Sequence, residues 1–218
     1  KILRFALSDT CSGTGNQKWI PASNPYNDVA PIVGKSAVWS IGIRNNQGFA
    51  YHPALNILYG ASHGPFSDDE INIIEGFKNY GHPLVIGYAA DGNYNGTTTP
   101  GLSTSTSAGV SYGWTGGIYG SDGQAAAAST APPIGNEVTN MNTINASASL
   151  YGAYKDPLFS AYPGTGSGTV SSIWSAANPS SNAGWHSEGW SGLDIYTHTL
   201  IPGWKNSLLA AGLKWGRT

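Results

Sequence analysis

Charge is what this 218-residue chain has least of. Only 10% of its residues are Asp, Glu, Lys or Arg, against about 25% in an average soluble domain. The formal net charge is −2, so there is no basic footprint for nucleic acid or for an anionic membrane. Cys11 is the single cysteine, which excludes an intramolecular disulfide framework and leaves packing to hold the fold. No apolar run approaches the ~20 residues of a membrane-spanning helix. The five histidines, at 52, 63, 82, 186 and 198, form no His-x-His or His-x3-His pair. "GTGNQK" (13–18) has glycine and lysine but not the order of a phosphate-binding loop. Neither a metal nor a cofactor is expected from these patterns.

Gly, Ser, Thr and Asn take the place of the charges, together with eight Trp and twelve Tyr. A surface kept in solution by hydroxyls and amides is common in extracellular proteins, virion parts and carbohydrate-handling proteins. An extracellular or virion-surface location is therefore the expectation. Disorder is the competing reading of high Gly and Ser, and the aromatic content argues against it, because chains that fail to fold lack large apolar side chains.

One domain over 1–218 is the default at this length. Within it, residues 1–91 differ from the rest. "KILRFAL" (1–7), "AVWSIGI" (37–43), "LNILYGA" (55–61) and "PLVIGYAA" (83–90) are apolar runs of strand length, continuous as in strands covered on both faces. Between the last two, "SDDEINIIEGFKNYG" reads as a helix over 67–80. Ser67 and Glu70 make a capping box, Asp68 and Asp69 sit on the positive end of the dipole, and Gly81 stops the helix. Residues 92–190 form a Gly/Ser/Thr/aromatic-rich insertion, with no charged residue from Gly92 to Ser121. "INASASLYGAY" (144–154) is a further strand candidate. Residues 191–218 close the chain with a strand (191–201) and a helix (202–212) framed by Pro202 and Gly212. The expected class is α/β, a mostly parallel sheet with flanking helices and this long insertion; a β-sandwich carrying one helix is the alternative.

In open parallel sheets the ligand crevice lies beyond the carboxyl ends of the strands. That rule collects Asp9 and Thr10 after the first strand, His63 after the third, Asp91 after the fourth, and Asp194 and His198 around the last. A hydroxyl, an imidazole and a carboxylate meeting there would be the parts of nucleophilic catalysis. "LSDTCSG" (7–13), "GASH" (60–63) and "DIYTH" (194–198) stand in the order of the blocks of SGNH-type hydrolases, which this chain resembles in size and block order. Thr10 takes the place of the nucleophilic Ser, and Ser62-His63 that of Asn-Asp. The resemblance implies an esterase-like hydrolase using Asp9, Thr10, His63, Asp194 and His198, to which the strand-end rule adds Asp91.

The aromatics point elsewhere. Tyr112, Trp114, Tyr119, Trp174, Trp185 and Trp190 lie among Gly, Ser and Asn, with Glu188 nearby. Ring faces for stacking beside short polar groups for hydroxyls are what sugar recognition needs. The expected function is a non-enzymatic surface protein that binds glycan, or neighbouring subunits including copies of itself, through these residues. The esterase-like hydrolase is the alternative.

Overall fold

The fold rests on one antiparallel hairpin that the sequence hides behind polar residues. A computed structural model describes residues 1–29, 33–64, 68–82, 85, 87–89, 141, 144–163 and 187–214. Strand β3 (Asn45–His52) alternates exposed and covered positions, with Phe49 and Tyr51 outward and Ala50 and His52 buried. It turns through 53–56 into β4 (Ile57–His63). Asn56 adopts a left-handed φ of 54° there, and the Leu55 amide donates to His52 Nδ1 at 3.3 Å. β4 pairs antiparallel with β5 (Glu70–Ile73), and β5 with β8 (Phe159–Ser160), giving the sheet order β3-β4-β5-β8.

Over this sheet lies a ribbon of β9 (Trp190–Tyr196) and β10 (Ser207–Gly212), also antiparallel. Ala61, Ile71, Ala161 and Trp190 are buried between the two layers, with Leu193, Leu208 and Ala210 packed against them. A Cβ on Gly48 would come 3.1 Å from Gly192 Cα, so glycine is what lets β3 and β9 cross this closely. A second core of Ile43, Ile74 and Tyr80 gathers Ile2, Trp39 and Leu58, and brings in the short pair β1 (Ile2–Leu3) and β2 (Val38–Ser40). Strand β6 (Lys78–Asn79) pairs in parallel with β7 (Ala153–Tyr154), which follows the four-residue helix α1 (Ala148–Tyr151). The third core, Val85 and Ile144 with Met141 and Tyr154, lies beside it.

Both expected fold classes are thus corrected: the described residues form mostly antiparallel sheets with few short helices. The helix expected over 67–80 is β5, a turn and β6. Phe77 sits at φ 56°, which no α-helix accommodates, and a Cβ on Gly76 would strike the Trp39 ring at 2.9 Å. The mostly parallel sheet expected around that helix does not form, because β4 and β5 are antiparallel neighbours. The helix expected over 202–212 is largely β10, whose pairing with β9 overrides its Leu/Ala composition. Residues 144–154 hold α1 and β7 rather than one strand. The runs at 1–7, 37–43, 55–61 and 191–201 do contain β1, β2, β4 and β9.

Tyr80 closes the turn after β5. Its hydroxyl donates to the Ile73 carbonyl at 2.6 Å and accepts from the Glu75 amide at 2.8 Å, and burial raises its pKa to about 12. Tyr80→Phe removes both bonds and strands two backbone groups, an expected loss of about 1–3 kcal/mol. A lower urea midpoint at unchanged slope is the expected result. An unchanged midpoint would mean that the phenol does not hold the turn.

Candidate functional site

Three consecutive carboxylates begin β5, and all three are buried: Asp68 and Asp69 at 0% exposure and Glu70 at 7%. Isolated buried charge is prohibitively costly, so each group needs partners. Asp69 Oδ1 accepts from the Gly64 amide at 2.9 Å, and Oδ2 accepts from the amides of Glu188 and Gly189, each at 2.6 Å. Asp68 Oδ1 accepts from Ser160 Oγ at 2.8 Å. Glu70 accepts from Asn72 Nδ2 at 2.9 Å and from the Gly87 amide at 3.0 Å. Burial pushes the Glu70 carboxyl up to about 8; its two hydrogen bonds oppose this, and the neighbouring charges of Asp68 and Asp69 add to it.

Beside the acids, the same end of the sheet presents cations and amides. Asn45 pairs in register with His63, and its amide donates to Ser62 Oγ at 3.2 Å. Arg44, exposed at the start of β3, reaches the His63 carbonyl with Nη1 at 3.4 Å. His63 Nε2 lies 2.8 Å from the Trp190 carbonyl. A carbonyl only accepts, so Nε2 is the donor in this bond. Lys214 lies in the field of Asp69 and Glu188; burial lowers its pKa while those two charges raise it. His82 is held down at about 3 by burial first and by the Arg44 charge second, so it stays neutral. A cavity of about 270 Å³ opens beside β1 and β3, lined among others by Leu3, Ile43, Arg44, Asn45, Asn46 and Phe49.

The hydrolase cluster expected from the sequence is dispersed. Asp9 and Thr10 are exposed in the loop before the first 3-10 turn, where Thr10 bonds only Ser8 among the described residues. His63 touches the first residue of β9, whereas His198 lies beyond its last, on the order of 20 Å along the strand. Asp194 is exposed on β9 and accepts from the Ile195 amide, and His198 rests edge-on to Tyr196. Of the expected sugar platform, Trp190 is instead buried in the core at 9% exposure, its ring 5.7 Å from Phe159. Glu188 is half-buried at the sheet end. Asp91, Tyr112, Trp114, Tyr119, Trp174 and Trp185 lie outside the described residues. Arg44, Asn45 and the three acids were missed by that reading. Three adjacent carboxylates in a chain with only twelve are the signal that could have marked them.

The geometry defines a β-protein with an electrostatically dense sheet end, its carboxylates satisfied internally and its Arg44 facing outward. Comparison with known proteins places it further. The family model for glucose/sorbosone dehydrogenases matches residues 16–139, more than half of the chain, so the protein belongs to that family. It is 44% identical over 70 residues to the aldose sugar dehydrogenase YliI of Escherichia coli K12, a match covering 32% of this chain and 18% of that one. To quinoprotein glucose dehydrogenase B of Acinetobacter calcoaceticus it is 39% identical over 95 residues, covering 43% and 17%. The structure of the PQQ-bound aldose sugar dehydrogenase of Streptomyces coelicolor aligns at 36% identity over 29% of this chain and 17% of that one, with a TM-score of 0.24. The matched segments span less than a fifth of these curated relatives. Membership in the glucose/sorbosone dehydrogenase family corrects both expected functions, the glycan-binding or self-assembling protein and the SGNH-type hydrolase. No helix among the described residues is long and apolar enough to cross a membrane.

Glu70 gives the site a pH signature. Its folded-state value of about 8 lies above the ordinary 4.5, so the folded chain holds a proton that the unfolded chain releases. Its contribution is full below about 4.5 and is lost as pH rises through about 8. The urea midpoint of the wild type is expected to fall across that window, and Glu70→Gln to flatten the fall. Parallel profiles for the two proteins would contradict the assignment.

Proposed function

We propose that this chain contributes the cofactor-facing part of a quinone-dependent aldose dehydrogenase. The observation that carries the reading is the grouping of Arg44, Asn45 and Lys214 at one sheet end in a chain of this family. PQQ is a tricarboxylate carrying an ortho-quinone, so it presents acceptors throughout and needs cations and N–H donors around it. The donor set fits that demand. Arg44 offers a planar fork suited to a carboxylate, Lys214 a second cation, and the Asn45 carboxamide two N–H donors. When bound, the quinone supplies a two-electron acceptor for the oxidation of a sugar at its anomeric carbon.

The chain's own residues arrange the surroundings. His63, by donating to the Trp190 carbonyl, fixes the entry of β9 against β4. Asp69 holds the segments at 64 and at 188–189 in a fixed relation through three amide bonds. His82 stays neutral beside Arg44, so it adds no charge next to the guanidinium.

Titrating PQQ into the protein while following tryptophan fluorescence tests the reading. Saturable binding is expected, with Arg44→Ala weakening it about tenfold, the size of one charge-assisted contact. Dye-coupled oxidation of D-glucose should appear only in the PQQ-loaded protein. Absence of PQQ binding, or binding indifferent to Arg44, would overturn the proposal.

A further inference from the structure

One carboxylate at the sheet end has no part in the contacts assigned so far. The Glu188 amide donates to Asp69 Oδ2 at 2.6 Å, and the Glu188 carbonyl accepts from the Lys214 amide at 3.1 Å. Its backbone is therefore held from both sides. Its Oε1 accepts a 2.5 Å hydrogen bond from the Tyr162 hydroxyl, while Oε2 has no hydrogen-bond partner among the described residues. Tyr162 is itself placed by the acids, because the preceding Ala161 exchanges backbone hydrogen bonds with Asp68 and Asp69 at 3.0 and 2.9 Å. It stands at φ 58°, a conformation that a non-glycine residue keeps only where its surroundings over-determine it, and one that recurs at ligand clamps. Both side chains reach solvent, Tyr162 at 38% exposure, and Phe159 close by in the chain exposes half its ring.

We propose that Glu188, oriented by Tyr162, is the hydroxyl-binding carboxylate of an aldose subsite at this end of the sheet. This rests on the dehydrogenase reading above. A carboxylate with one oxygen occupied by a phenol keeps the other to accept from a sugar hydroxyl. Such a charge-assisted bond is roughly twice as strong as a neutral one. A neutral, hydroxyl-rich ligand suits the site because it leaves the carboxylate charge in place. A site built to bond a hydroxyl favours the sugar that carries it over the analogue that lacks it, because the charge-assisted bond is then lost. Glu188 thus selects among sugars by the position of one hydroxyl, and Tyr162 sets which position that is.

The test is calorimetric titration of D-glucose and its monodeoxy analogues into the PQQ-loaded wild type, Glu188→Gln and Tyr162→Phe, with PQQ affinity followed in parallel. In the wild type, one deoxy analogue should bind about tenfold more weakly than D-glucose. That gap should close in Glu188→Gln and shrink about threefold in Tyr162→Phe, while PQQ affinity stays constant in both. If every analogue keeps its wild-type gap in Glu188→Gln, the subsite lies elsewhere and the dehydrogenase reading survives. If the wild type takes up PQQ and binds no aldose, both fail together.

Discussion

Three adjacent carboxylates out of water are the constraint on which the rest of this structure depends. Buried acids are tolerated only when hydrogen-bond donors surround them, and β5 has too few of its own. The donors come from Gly64 just after β4, from Gly87, from Ser160 on β8, and from Glu188 and Gly189 before β9. Satisfying Asp69 brings the start of β9 to the end of β4. The ribbon of β9 and β10 then lies across the sheet, and Trp190 fills the space between the layers. Polar satisfaction sets the placement, and apolar burial supplies the driving force once the layers meet.

The electrostatics of the site follow from the same arrangement. Asp69 is held by three amides, while Glu70 has two donors and its burial holds the carboxyl up at about 8. Arg44 and Lys214 stand at the rim, and Lys214 lies in the field of Asp69 and Glu188; the Lys155–Glu75 salt bridge is elsewhere. The outward cations and the inward anions are therefore two layers of one charge distribution.

Much of the strand content was legible and its arrangement was not. β-branched and aromatic runs at 37–43, 55–61 and 191–201 marked β2, β4 and β9 because those strands are at least partly covered. β3 escaped because its inward face is Gly48, Ala50 and His52, too small or too polar to register as apolar, while its aromatics Phe49 and Tyr51 point outward. "SDDE" was misread because a helix N-terminus and a ring of backbone amides from distant segments both favour negative charge. Local sequence carries no trace of which one answers. The Pro and Gly framing 202–212 misled in the same manner: both residues fit a turn and a strand end as well as a helix. For the site, His63 and Glu188 were legible as candidates, but their significance depends on Asp69, which joins them across residues far apart in the chain.

The pairing of β6 with β7 has a consequence for how such a chain can vary. Asn79 and Tyr154 are neighbours in register although most of the uncharged stretch lies between them. Loop-closure entropy grows only with the logarithm of length, about 0.6 kcal/mol for each doubling. Closing the connection between these two strands therefore depends only weakly on how many residues it holds; what the fold asks of it is that the parallel pair, the Val85–Ile144 packing and the Tyr154 hydroxyl bond to the Gly87 carbonyl at 3.0 Å persist.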